Sequence, residues 1–480
     1  MALRTATSAD PATSADSATS GSASAPAGTR APAEERHRLT AVQGLAALSL
    51  DAMASVAYGP EAIVLVLAAA GAHGLGFTLP VTLAIAVLLA VLVASYRQVI
   101  AAFPDGGGAY AVAGRHLGRR TGLVAAASLV LDYVLNVAVS VTAGVAALTS
   151  AFPGLYGNRV GICLGVLVLV TAVNLRGVVD SAKAFLLPTA VFVGSILAMV
   201  TVGLFRDGPV STASAAGHAS ALGGGATTVG ALLLLKAFAA GCSALTGVEA
   251  VANAVPSFRA PAARRAQRTE VALGALLGVM LIGLSVLIGR FHLQPVEGVT
   301  VLAQLADASF GHGPAFYVVQ FATMVLLALA ANTSFGGLPV LMGLLARDHH
   351  LPHVFALRTH RQVHRHGVLW LAVVSAALLV FSGGDTNTLV PLFAIGVFVG
   401  FTICQVGMVR HWSLERPAGW RARAALNGLG ALLTGVSAVV VTATRFTEGA
   451  WLIVVALPLL VLAFERVRRV RRCAPAESLS

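Results

Sequence analysis

Asp51 and Tyr58 lie inside the first long apolar stretch of the sequence, next to a Gly59-Pro60 pair. Surrounded by hydrocarbon, a carboxylate costs about 2.5–3.5 kcal/mol on insertion scales. Proline removes a backbone donor and turns the residue before it away from helix. Broken backbone survives at that depth only when it is buried in protein or lines a cavity. The combination therefore builds a site. It offers a carboxyl group for a proton or a cation, a phenol oxygen, and carbonyls freed by the break.

A second stretch repeats the pattern. Residues 55–63 read Ser-Val-Ala-Tyr-Gly-Pro-Glu-Ala-Ile and residues 243–251 read Ser-Ala-Leu-Thr-Gly-Val-Glu-Ala-Val. Paired, interrupted apolar segments at corresponding positions of two halves mark the binding site of a secondary transporter. Thr246 and Glu249 are then expected beside Asp51 and Tyr58. Glu61 is expected to reach the membrane interface, and Lys236 to snorkel.

Asp132, Asn136 and Ser140 follow one another at intervals of four. On a helix each step drifts by only about 40°, so the three line one face over roughly 12 Å. A cation could pass along their carboxylate, amide and hydroxyl oxygens. Asn136 and Ser140 by themselves also suit glue between helices, whereas an intramembrane carboxylate such as Asp132 is functional by default. Asn332, Thr333 and Ser334 add polar groups at mid-depth and fit either role.

Long apolar helices must hold these groups, and the composition supplies them. The chain has 480 residues, 57% hydrophobic and 11% charged, with a mean hydropathy of +0.84. No soluble domain of this length needs so much apolar surface. Twelve segments approach the roughly 20 residues of a span: 39–70, 79–103, 122–152, 160–175, 184–205, 230–256, 270–288, 315–345, 368–381, 389–408, 425–444 and 451–464. The net charge of +12 does not signal nucleic acid, because the arginines crowd into alternate connections. With a cytoplasmic N-terminus, outside loops hold only Arg159, Arg206, Arg290 and Arg445. That asymmetry places both termini in the cytoplasm of a multi-pass cell-membrane protein.

Segments 1–5 and 6–10 then form two units of five helices, and the odd number inverts the second relative to the first. The expected fold is an all-α integral membrane protein of twelve helices. It has a five-plus-five inverted repeat in which helices 1 and 6 are broken. Its parts are a disordered cytoplasmic tail (1–36), a first repeat (37–206), a second repeat (229–411), and helices 11 and 12 with a basic tail (412–480). The four cysteines show neither metal spacing nor a disulfide framework.

Other signals are weaker. Pro104-Asp-Gly-Gly-Gly-Ala-Tyr110 lacks the Gly-Lys-[Ser/Thr] of a phosphate loop and reads as a cytoplasmic turn or re-entrant segment. The His-rich loop 349–366 reads as a solvated basic loop facing anionic lipid, with metal binding as the lesser alternative. No Gly-x-Gly-Asp or His-Glu-x-x-His signature occurs in a membrane segment, so no enzyme is expected.

The stretches around Asp51 and Tyr58, Ser-Tyr-Arg97-Gln with the following Gly-rich loop, Leu-Asp132-Tyr-Val-Leu-Asn-Val-Ala-Val-Ser140, Asn174-Leu-Arg-Gly177 and Gly241-Cys-Ser-Ala-Leu-Thr246-Gly-Val-Glu249 resemble the amino acid–polyamine–organocation (APC) transporters. Within that superfamily they look most like the KUP-type potassium–proton symporters. The resemblance covers about residues 37–410. It implies the LeuT-like fold, potassium ligands at Tyr58, Asp132, Ser140 and Thr246, and coupling carboxylates at Asp51 and Glu249. Asn136 stands where Thr is expected, Phe393 where Tyr is expected, and no cytosolic C-terminal domain follows.

Proton-coupled potassium uptake by alternating access is the first functional expectation. A proton-coupled amino acid or polyamine permease of the same fold is the alternative, although Asp51 and Asp132 would repel a substrate carboxylate. A transport-free membrane sensor is the third. No cofactor is expected beyond the transported potassium ion and proton. The partners expected are the lipid bilayer and a small cationic or zwitterionic solute, with a homodimer left open.

Overall fold

The computed structural model describes residues 38–176, 183–211, 229–356 and 365–473. The expected tails and residues 357–364 of the His-rich loop lie outside the described residues. Helix α1 (Ala41–Leu48) opens with a reciprocal cap. The Gln43 backbone N–H donates to Thr40 Oγ1 at 3.3 Å, and the Thr40 backbone N–H donates to the Gln43 side chain at 3.0 Å. The helix stops at Ser49. The same line continues as α2 (Leu50–Ala54), a 3₁₀ turn at Ser55–Ala57, and α3 (Gly59–Leu67). Pro60 sits in the first turn of α3, where its missing N–H loses no bond.

A short α4 (Gly71–Leu75) precedes α5 (Thr78–Ala102). The Gly-rich loop is a turn, as its composition predicts, and it leads into a short helix, α6 (Gly108–His116), which was not expected. Gly108 has φ +42°, and a Cβ there would overlap the Asn253 amide oxygen, so the close approach requires glycine. Then come α7 (Arg119–Ala151), α8 (Arg159–Leu175) and α9 (Leu186–Phe205).

The second half starts with α10 (Ala231–Gly241) and a 3₁₀ turn at Cys242–Leu245. Thr246 is extended and Gly247 has φ +78° before α11 (Ala250–Asn253) resumes. The remaining helices are α12 (Ala262–Arg290), α13 (Val301–Phe310), α14 (Pro314–Arg347), α15 (Arg365–Phe381), α16 (Thr386–Glu415), α17 (Trp420–Thr444) and α18 (Trp451–Cys473). Among the described residues, eleven helices are long and apolar enough to cross a membrane, and α15 is a shorter apolar helix. The seventh expected segment starts earlier, at Ala262, and the twelfth runs on to Cys473.

Buried α7 is the axis of the molecule. It packs on α14 and α16, while α5 packs on α12, so the two halves expected from the sequence share one core. Hydrocarbon gives little drive for helices to associate, so polar side chains fasten them. Gln98 Oε1 accepts from Trp412 Nε1 at 2.8 Å and from Asn427 Nδ2 at 3.0 Å, joining α5, α16 and α17. Ser95 extends this cluster to Gln405 (2.7 Å) and Asn427.

Candidate functional site

The two breaks touch each other. Ser55 Oγ lies 2.7 Å from the carbonyls of both Ala52 and Ala244 and bridges them. Tyr58 Oη lies 3.3 Å from Thr246 Oγ1. A methyl group on Gly247 would stand 2.7 Å from the Ala52 nitrogen and 2.8 Å from Asp51 Oδ2, so the second break presses directly on the first. Each interruption has a local cause. Gly59-Pro60 restarts one helix, and a left-handed glycine beside an extended threonine prevents the other from closing.

Three carboxyl groups converge here. Asp51, Asp132 and Glu249 are all buried, and they stand close enough to act on one another electrostatically. Each has an oxygen without a hydrogen-bond partner: Asp51 Oδ1, Asp132 Oδ1 and Glu249 Oε2. Buried charge of one sign without partners calls for a cation or for protons.

The α7 ladder is present. Ser140 Oγ donates to Asn136 Oδ1 at 3.0 Å, and Asn136 Nδ2 donates to Ser334 Oγ on α14 at 2.9 Å. Among its neighbours in sequence, Asn332 accepts from Asn174 Nδ2 at 2.6 Å, and Thr333 bonds its own helix. Phe393 is fully buried on α16.

A cavity of about 420 Å³ runs from Tyr58 and Ala57 past Glu61 and Thr300 to the exposed Glu297 and Asn387. It lies at the end of the molecule that carries Arg159. Glu61 faces this cavity and is held by donors from two other elements. It accepts from the Val301 backbone N–H at 3.1 Å and from Asn387 Nδ2 at 3.3 Å, because the N-terminus of α13 and the start of α16 present donors to it.

On the other side of the carboxylates only a gap of about 10 Å³ remains, bounded by Tyr96, Ser128, Asp132, Glu249, Gly396, Gly400 and Phe401. That is room for roughly one water molecule. Tyr96 and Phe401 close it edge to face, with ring centroids 5.8 Å apart. Beyond it, the His116 and His411 rings stand 4.9 Å apart. Burial first, then the neighbouring His411 and Arg115, hold His116 below its ordinary value. The Tyr110 hydroxyl donates to Asp348 Oδ2 at 2.9 Å and is pushed up to about 12, by burial and then by that carboxylate.

Sequence reasoning found Asp51, Tyr58, Asp132, Thr246 and Glu249, which the fold brings together, and the Asn136–Ser140 pair beside them. It missed Tyr96 and Glu270, a second fully buried phenol and a fourth buried carboxyl group. Tyr96 sat in a motif quoted for its arginine. Glu270 stood at the edge of an apolar segment and read as a boundary.

The model of the family described as amino acid permease matches residues 43–464. A curated protein from Bacillus subtilis (strain 168), described as potassium transporter KimA, is 40% identical over 433 residues, covering 90% of this chain and 71% of the relative.

Proposed function

The chain belongs to the amino acid permease family of the APC superfamily, and from that premise we propose that this transporter takes up potassium in symport with protons by alternating access. The observation that carries the reading is the meeting of the two helix breaks with three buried carboxyl groups, each with an unpartnered oxygen. The relative's description as a potassium transporter supports the same cargo.

In this reading the cavity of about 420 Å³ is the outer vestibule, and both termini face the cytoplasm. Twelve spans form the five-plus-five inverted repeat with helices 11 and 12 appended, within the boundaries 1–36, 37–206, 229–411 and 412–480. A potassium ion needs a shell of oxygen atoms to replace its water. Tyr58, Asp132, Ser140 and Thr246 supply side-chain oxygens, Asn136 an amide oxygen, and the breaks free carbonyls. Asp51 and Glu249 take up a proton from the vestibule side and release it on the other, which links the two fluxes. The narrow gap beyond them keeps the two sides from being open together.

A proton-coupled amino acid permease is the second reading, favoured by the description of the matching family. Three converging carboxyl groups weigh against it, since they would repel a substrate carboxylate. The deciding experiment is rubidium uptake into proteoliposomes under an inward proton gradient, competed by potassium and by a panel of amino acids. Potassium competes and amino acids do not, Asp132→Asn abolishes uptake, and Glu249→Gln keeps binding but loses the response to the gradient. Uptake of a labelled amino acid without rubidium would move the cargo to the second reading. Wild-type transport by both variants would sink the site.

A further inference from the structure

Glu270 is a carboxyl group that the proposed cation site does not use. It lies on α12 about two turns from Ala262, it is fully buried, and neither of its oxygens has a hydrogen-bond partner. A bare carboxylate in that position is costly, and a group kept only for packing would be apolar or bonded. Its neighbour Thr269 donates to the Ala41 carbonyl at 3.0 Å, which pins this part of α12 to α1.

Two groups face it. Glu249, at the second break, acts on Glu270 electrostatically. Tyr96, on α5, is fully buried and in electrostatic contact with both carboxyl groups. Tyr96 and Glu249 also share the gap of about 10 Å³, so the phenol belongs to both environments. Of the other helices packed on α12, α1, α9 and α11 carry no titratable side chain. Asp51 on α2 acts on Asp132 instead, Glu61 lies in the vestibule, and Asp307 is engaged by the Ser211 hydroxyl. On the far side, a cleft of about 520 Å³ between α5 and α12 is lined by Arg97, Arg264, Gln267 and Arg268, with Val271 next to Glu270 in its wall.

We propose that Glu270, with Tyr96 beside it, is the exit station for the transported proton. Glu249 gives its proton to the Glu270 carboxylate, and Glu270 releases it to water in the Arg97–Arg268 cleft. Only O–H bonds form and break: Glu249 is left as a carboxylate, Glu270 becomes the acid, and the proton leaves as hydronium. The inference rests on the proton-symport reading above. It predicts that net proton-driven transport needs Glu270, whereas exchange of one cation for another, which never empties the carboxyl groups of protons, does not.

The test uses the full chain in proteoliposomes and two assays. One is rubidium–potassium exchange at equal pH on both sides, and the other is rubidium accumulation driven by an inward proton gradient. Glu270→Gln keeps exchange within about twofold and loses more than about tenfold of accumulation, a split that a structural role would not give. Accumulation at the wild-type level, or loss of exchange and accumulation together in a correctly folded variant, overturns the proposal. If Glu270→Gln does not fold, Tyr96→Phe, which removes one hydroxyl, is read in the same way. A slowed accumulation with intact exchange supports the relay, and unchanged accumulation overturns it. Wild-type protein that exchanges rubidium but ignores the proton gradient refutes the symport reading itself, which separates the two failures.

Discussion

The cavity on the Arg159 side of the carboxyl groups holds about 420 Å³, and the gap on the opposite side holds about 10 Å³. Their walls differ in kind. The large one is made of loop residues and helix ends, with Glu61, Arg159, Thr300 and Asp385 offering charge and hydroxyl groups to water. The small one is made of helix interiors, where Gly400 of α16 leaves room for Ser128 of α7 and two aromatic rings meet across the opening. Polar groups on element ends line one path, and close helix packing narrows the other. In this structure the carboxyl groups between them are approached from the Arg159 side.

The largest contrast should appear in thiol accessibility. In a chain whose native cysteines are replaced, Asn387→Cys should react with a membrane-impermeant thiol reagent more than about tenfold faster than Ser128→Cys, because only the first is exposed. Equal rates would erase the distinction between the two openings. Gly247→Ala attacks the wall between them. The left-handed backbone costs about 1–2 kcal/mol for any residue with a Cβ, and the added methyl group collides with Ala52 and Asp51. Transport should fall to near background, with a drop of a few degrees in melting temperature. A fully active Gly247→Ala protein would show that the breaks need not touch.

The smallest effect belongs to the closed side. His116 is held below its ordinary value by burial and by His411, so the folded state binds this proton less readily than the unfolded chain. The α6–α16 contact is therefore at full strength above about pH 6.5 and weakens as pH falls through that value toward the shifted one. Melting temperature should decline between pH 7 and pH 5, and His116→Asn should flatten the slope. The same slope in both proteins would assign the pH response to other groups.

Much of the site was legible because breaking a membrane helix demands unusual residues. Gly59-Pro60 and Thr246-Gly247 announced both interruptions, and buried charge is rare enough for Asp51, Asp132 and Glu249 to stand out. Hydropathy also delivered the spanning helices, because lipid-facing length is written directly in apolar runs. What stayed hidden depends on distance between segments. The donors that hold Glu61 come from Val301 and Asn387, far along the chain. The short helices α6 and α13 are too brief and too mixed in polarity to declare themselves. Glu270 stood where arginines give way to an apolar run, and only the earlier start of α12 puts it inside the protein.

The contact between Gly108 and Asn253 limits how closely α6 and the second broken helix can approach each other. The Gly-rich turn sits against the last residue of α11 with no space for a methyl group. A push on the end of the second broken helix toward this turn would therefore be passed to α6 without slack.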